Sequence, residues 1–297
     1  MLQSLYQLLK LLRVEHYIKN GLCFVPLIFH GKLFDGKLFL ITLYGAAAFS
    51  ALSSCVYIYN DIRDIESDRK HPRKCRRPLA SGQVSLPAAW LLCGIMAAIA
   101  LTFGYMGGGE AWLPWSLLAA YAISNLLYSV WLKHIVLVDV GILASGFLLR
   151  LFYGAALASI SLSAWMFLTI LSASLFMGLG KRRNEMRCEN SHQIRSVLNG
   201  YSWNFLDRNM YLTMGLTITF YALWTINSSF SPEKNMQITP IMWTVPGVIF
   251  ILMRYSLIIE RGVEGDPIRV MFSDRILLGM SIILGGMLVI LRSFFVV

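Results

Sequence analysis

Nine apolar runs, each about as long as a helix needs to be to cross a bilayer, divide this chain of 297 residues. At roughly 20 residues per crossing they fall near 17–33, 38–60, 85–106, 112–131, 135–155, 163–180, 211–229, 239–257 and 276–295. Only 14% of the residues are charged and 57% are hydrophobic, whereas soluble domains carry about 25% charged residues. The mean hydropathy of +0.61 agrees. The expected fold is an all-α integral membrane protein, a bundle of about nine transmembrane helices. No linker rich in Pro, Gly or Ser interrupts it, so residues 1–297 read as a single domain.

The formal charge of +10 would suggest nucleic acid in a soluble protein. Here the basic residues lie in short segments between apolar runs, and the positive-inside bias accounts for them without a nucleic-acid partner. Of the 26 Lys and Arg, four (Lys32, Lys37, Lys234 and Arg292) fall on one side and Arg150 lies inside a run; all others collect on the opposite side. That asymmetry places the amino terminus and the long charged loops in the cytoplasm, in a membrane of the bacterial inner type, with the carboxyl terminus outside. Residues 1–20 carry Lys10, Arg13 and Lys19 and show no small-residue cleavage site, so they read as an interfacial helix and not a removable signal. Five scattered cysteines (Cys23, Cys55, Cys75, Cys93, Cys188) lack any C-x-x-C spacing and predict neither disulfides nor zinc.

Against this background one stretch, Tyr57 to Arg69, concentrates carboxylates directly after the second run. If the helix continues through it, Asn60/Asp61, Asp64 and Asp68 recur every three to four residues and share a face. Oxygen side chains packed together repel unless cations sit among them, and hard oxygen ligands with room for water and phosphate suit Mg²⁺. A basic continuation follows, with His71-Pro72-Arg73-Lys74 and Arg76-Arg77-Pro78-Leu79-Ala80-Ser81-Gly82. A solvated positive-inside loop explains the arginines but not the carboxylates.

The combined pattern, Asn-Asp-x-x-Asp-x-x-x-Asp followed by His-Pro-x-Lys-x-x-Arg-Pro-Leu-Ala-Ser-Gly, resembles the first aspartate-rich motif of the UbiA-type membrane prenyltransferases. The resemblance implies that Asp61, Asp64 and Asp68, with Asn60 alongside, hold Mg²⁺ and through it a diphosphate. It also implies the UbiA-type helical bundle.

Where most of that superfamily has a second aspartate-rich motif, after the sixth run, this chain has Gly180-Lys181-Arg182-Arg183-Asn184-Glu185. Cations in place of carboxylates suit direct binding of phosphate groups, although positive-inside flanking also accounts for them. This segment joins Tyr17-Ile18-Lys19-Asn20, Tyr128-Ser129 with Leu132-Lys133-His134, Asp139, Ser145-Gly146-Phe147 with Arg150, Gly265-Asp266-Pro267 and Ser273-Asp274-Arg275. Together they resemble the decaprenyl-phosphate phosphoribosyltransferases. That likeness implies transfer of 5-phosphoribose from phosphoribosyl diphosphate to a polyprenyl phosphate lipid. Candidate substrate ligands are Lys19, Asn60, Lys74, Arg77, Tyr128, Lys133, Asp139, Lys181, Arg182 and Glu185.

Asp139 and Arg150 lie within the fifth run. Charges in a span are costly and usually face a cavity or a partner; Asp139 is close enough to the cytoplasmic end to reach the site, while Arg150 reads as structural. Tyr57, one turn before Asp61, either lines the pocket or belongs to the core. His16, His30, His134 and His192 lack metal-ligand spacing and read as surface or interfacial residues. Two competing functions remain: prenyl transfer from a diphosphate to an aromatic or other acceptor, and transport using intramembrane charges. Transport is disfavoured because the acidic cluster lies at the membrane boundary and no inverted repeat with broken helices is visible.

Overall fold

The computed structural model describes residues 2–70, 74–187, 196–227, 239–262 and 266–294; His71, Pro72, Arg73, Cys188, His192, Lys234 and Gly265 lie outside them. The regular structure among the described residues is helical. It comprises α1 (Leu2–Leu12), a 3₁₀ stretch (Val14–Phe24), α2 (Val25–Phe29), α3 (Gly36–Arg63), α4 (Ile65–Lys70) and a short turn (Lys74–Arg76). There follow α5 (Leu86–Gly108), α6 (Trp112–Val130), α7 (Val138–Ala158), α8 (Ala164–Glu185), α9 (Trp203–Asn227), α10 (Thr244–Arg261), α11 (Pro267–Ser273) and α12 (Arg275–Phe294).

The helices begin where the sequence supplies caps. Asp35 Oδ1 accepts from the Lys37 and Leu38 amides at the start of α3, Ser85 caps α5, and Ser163 caps α8. Gly109, at φ 55°, ends α5 in a conformation that glycine adopts at little cost.

Among the described residues seven helices, against the nine expected, are long and apolar enough to cross a membrane: α3, α5, α6, α7, α8, α10 with its leading turn, and α12. The expected run at 17–33 folds as the 3₁₀ stretch and the five-residue α2, because Pro26 and the Gly31 turn prevent one continuous helix. The run at 211–229 belongs to α9, which is long enough, but Thr213, Thr217, Thr219, Thr225, Tyr211 and Tyr221 dilute its apolar character. Thr213 and Thr217 donate back to carbonyls one turn earlier at 2.8 and 2.7 Å, so their hydroxyls are satisfied inside the bundle.

The helices pack in two groups, α3 against α5 and α7, and α8 against α9, with α7 touching α8 between them. Phe49, Val56, Tyr121 and Tyr153 fill one interior, and Phe176, Leu206, Met210 and Ile259 fill the other. Leu91, Leu101, Ile123, Phe250, Ile282 and Ile283 point outward. A soluble protein could not leave so much apolar surface in water, but lipid accepts it. The small residues of α3 and α8 allow close approach: Ser53 and Ser54 reach Tyr121 and Tyr17 at 3.1 and 2.7 Å, and Gly178 lies against Val140.

The 3₁₀ stretch is pinned inside this bundle. Asn20 donates to Ser50, and Arg150 Nε donates to Asn20 at 2.7 Å. Arg150 also bonds the Gly146 carbonyl and lies over the Phe49 and Tyr121 rings, which confirms its structural reading. A Cβ on Gly154 would run into the Cys23 carbonyl. Gly154→Ala is therefore expected to cost about 1–3 kcal/mol by overpacking and to lower the thermal midpoint in detergent. Gly141→Ala, where a Cβ meets nothing within 4 Å, should leave the midpoint unchanged.

Candidate active site

The alternating helices bring the last turns of α3, α6 and α8 and the starts of α7 and α11 to one end of the bundle, where the sequence-predicted residues meet. The helix does not run unbroken through the acidic stretch. It stops at Arg63, Asp64 forms the junction, and α4 starts at Ile65. The amides of Asp64 and Asp68 still bond the carbonyls four residues back, so the axis shifts without being lost.

Asp61 and Asp68 are both buried and share one cation. Arg77 Nη1 donates to Asp61 Oδ1 at 3.1 Å and to Asp68 Oδ2 at 2.7 Å. Arg13 Nη2 approaches the same Asp61 oxygen at 2.6 Å, with its guanidinium 4.7 Å from the Tyr57 ring centre. Asp64 instead faces the Lys133 ammonium at 3.9 Å, and Asn60 Oδ1 accepts from Ser129 at 2.6 Å, tying α3 to α6. Asp61 and Asp68 thus form a bridged pair, while Asp64 and Asn60 have separate partners on α6 and the turn after it. Among the described residues no three His, Cys, Asp or Glu side chains are gathered around a single point. The donor set nevertheless has the chemistry of a Mg²⁺ site, hard oxygens at a membrane boundary. The Arg77 nitrogen stands in for a cation between two carboxylates that burial would otherwise leave uncompensated.

A second group of charges lies beside the first. Lys181 approaches Asp266 at 3.7 Å, and Asp266 Oδ1 caps α11 through the Ile268 amide. Burial alone would raise the Asp266 pKa, but Lys19, Lys181 and His16 outweigh it and hold the carboxyl below its usual range. His16, read from the sequence as surface or interfacial, is partly buried. Its ring packs against Tyr57 at 5.6 Å, and its Nδ1 is buried without a protein partner. Burial and then the Lys19 ammonium push its pKa down to about 3, so it is neutral at physiological pH. Tyr57 lies between the Arg13 guanidinium and the His16 ring. Of the other histidines, His30 bonds the Pro26 carbonyl and His134 bonds Ser196.

Arg182 proves to be a strut. It is completely buried, and its Nε donates to Asp139 Oδ2 at 2.6 Å, its Nη1 to Glu185 at 2.6 Å and its Nη2 to the Tyr128 hydroxyl at 3.3 Å. The other Asp139 oxygen accepts from Tyr201 at 2.6 Å. Arg182, Asp139, Tyr128 and Glu185, expected to contact substrate, contact one another and lock α6, α7 and α8 together. Arg183 is likewise occupied, by Asp207 at 2.7 Å and by the Trp203 ring. Lys74 is half-buried in the short turn just before Arg77. Sequence reasoning gave no site role to Arg13, His16 or Asp266. Only Asp266 carried a local signal, its place before Pro267 at a helix start.

A profile of the UbiA prenyltransferase family matches residues 22–273, and the chain belongs to that family. It is an integral membrane transferase. A decaprenyl-phosphate phosphoribosyltransferase of Mycolicibacterium smegmatis is 31% identical to it, over 91% of this chain and 87% of the relative. The protein of the same name from Corynebacterium glutamicum is 28% identical, over 91% and 82%. The solved structure of a UbiA homologue from Archaeoglobus fulgidus, bound to GPP and Mg²⁺, superposes with a TM-score of 0.71. It covers 98% of this chain and 99% of its own, at 16% identity, so the fold is shared.

Proposed function

We propose that this protein transfers 5-phosphoribose from phosphoribosyl diphosphate to a decaprenyl-type polyprenyl phosphate, releasing diphosphate. The observation that carries the reading is the pairing of two unlike sites at one end of the bundle: the carboxylates Asp61 and Asp68, and the cations Lys19 and Lys181. A donor with a diphosphate at its anomeric carbon and a separate 5-phosphate needs both. A prenyl diphosphate needs only the first. The names of the relatives support the same choice.

Asp61 and Asp68, with Asp64 and Asn60 alongside, are the residues that would hold Mg²⁺. When bound, the ion would neutralise charge on a departing diphosphate. Arg77, Arg13 and Lys133 line that end and are suited to its phosphoryl oxygens. Lys19 and Lys181 are placed for the 5-phosphate or the acceptor phosphate, and Lys74 lies nearby. In the reaction the anomeric C1–O bond breaks and its electron pair leaves with the diphosphate. An acceptor phosphate oxygen forms the new bond from the opposite face, giving a β-linked product. That oxygen is already ionised at neutral pH, so no proton need be removed. The Arg182–Asp139–Glu185 cluster keeps α6 and α8 in register behind the reacting groups. The distribution of Lys and Arg supports a site and an amino terminus on the cytoplasmic side.

With Mg²⁺, phosphoribosyl diphosphate and a long polyprenyl phosphate, the purified protein should release diphosphate and form a lipid-linked phosphoribose, seen by mass spectrometry. Turnover only with a prenyl diphosphate and an aromatic acid would replace this reading with prenyl transfer.

A further inference from the structure

We infer that Arg13 and Arg77 are resident counter-cations that compete with the divalent ion for Asp61 and Asp68, so that metal and diphosphate bind strongly only together. The inference rests on the metal reading above and extends it to two residues of this chain.

The geometry is specific. One Arg77 nitrogen bridges two carboxylates from opposite sides of the α3–α4 junction, and Arg13 closes on the Asp61 oxygen that Arg77 already uses. Two formal negative charges face two formal positive charges, and both carboxylates are only 3% exposed at their side chains. The pair is therefore neutral before any metal arrives. A dication entering it would meet two guanidinium groups at close range, where a unit charge at about 4 Å is worth several kcal/mol even at an effective dielectric near 20. Metal alone must then displace both arginines and leave them without a counter-charge. A diphosphate removes that cost, because it offers the arginines new oxygens as they leave the carboxylates.

Arg13 also ties this exchange to the amino-terminal helix. It sits directly after α1, at φ 53°, in the left-handed region that a non-glycine residue adopts only when its surroundings hold it there. The preceding carbonyl, Leu12 O, accepts from Ser54 on α3, and Leu11 is fully buried against Ile58 and Leu79. The Tyr57 ring below supports the guanidinium from the same helix. α1 is thus anchored by contacts that do not involve the carboxylates, and the Arg13 side chain can turn without undocking it.

The test is equilibrium dialysis of the detergent-purified protein against Mn²⁺, counting protein-associated metal with and without inorganic diphosphate. The wild type should bind Mn²⁺ weakly alone and roughly tenfold or more tightly with diphosphate, within the usual range of coupling between sites. Arg13→Gln and Arg77→Gln should each tighten metal-only binding by roughly tenfold and shrink the gain from diphosphate. Arg13→Lys, which keeps the charge, should behave like the wild type. Equal Mn²⁺ affinity with and without diphosphate in the wild type would overturn the coupling, even if the glutamine variants fail to fold. So would folded glutamine variants whose metal-only affinity is unchanged. No protein-bound Mn²⁺ under either condition would instead remove the metal reading itself.

Discussion

Arg182→Ala is expected to cost about 3–5 kcal/mol of stability, a fall in thermal midpoint of the order of 10 °C. The physical cause is what the substitution leaves behind. Asp139 has no solvent exposure, and without Arg182 its charge would keep only the Tyr201 hydroxyl. Glu185 and Tyr128 lose a partner at the same time. A buried pair removed whole behaves differently from one that is halved, so Arg182→Met combined with Asp139→Leu should recover much of the loss. The neighbouring Lys181 supplies the contrast. It is partly exposed and approaches Asp266 at 3.7 Å, so Lys181→Ala should leave the midpoint nearly unchanged and raise the KM for the phosphorylated donor. Adjacent residues in one basic run would then separate cleanly, one by melting temperature and one by substrate affinity. An unaltered midpoint in Arg182→Ala together with weakened donor binding would return Arg182 to the substrate.

That contrast marks where the sequence was legible. Hydropathy located the seven helices that, among the described residues, are long and apolar enough to span, because hydrocarbon admits little besides long apolar runs; the two further runs are those where apolar length and helix length diverge. In the first run Pro26 and Gly31 break the helix. In α9 the run at 211–229 is long enough, but its threonines and tyrosines dilute its apolar character. The acidic stretch was legible because carboxylates at a membrane boundary have few other reasons to be there. Its local geometry was not, since the break at Asp64 depends on tertiary packing that no spacing rule contains. The basic run at the end of α8 shows a second limit: composition announces cations but not where they point, and a turn of 100° per residue separates the fully buried Arg182 from the partly exposed Lys181. Arg13 and His16 were the hardest to find. They reach α3 because the chain turns at Arg13 into a 3₁₀ stretch in place of the expected straight span, with Arg13 at its start and His16 within it.

Asp61→Asn is expected to reduce turnover by at least about two to three orders of magnitude, the scale of removing one preorganised charge from a site that stabilises developing charge. The fold should survive it. Asparagine keeps the side chain's volume and an oxygen that Arg13 and Arg77 can still donate to, so the loss is that of a charge-assisted bond becoming a neutral one. Asp68→Asn should follow closely, because it removes the other half of the bridged pair. Asp64→Asn should also impair turnover, but less deeply, since Asp64 is partly exposed and faces Lys133 at 3.9 Å. Raising the Mg²⁺ concentration should restore part of the activity of Asp64→Asn, whereas Asp61→Asn lacks a carboxylate at the centre of the pair and should not respond. Steady-state kcat measured across a Mg²⁺ series, alongside thermal midpoints, checks the whole order. Full activity in Asp61→Asn would remove the acidic pair from the chemistry and leave its two arginines as a purely structural lock between α1, α3 and the loop before α5.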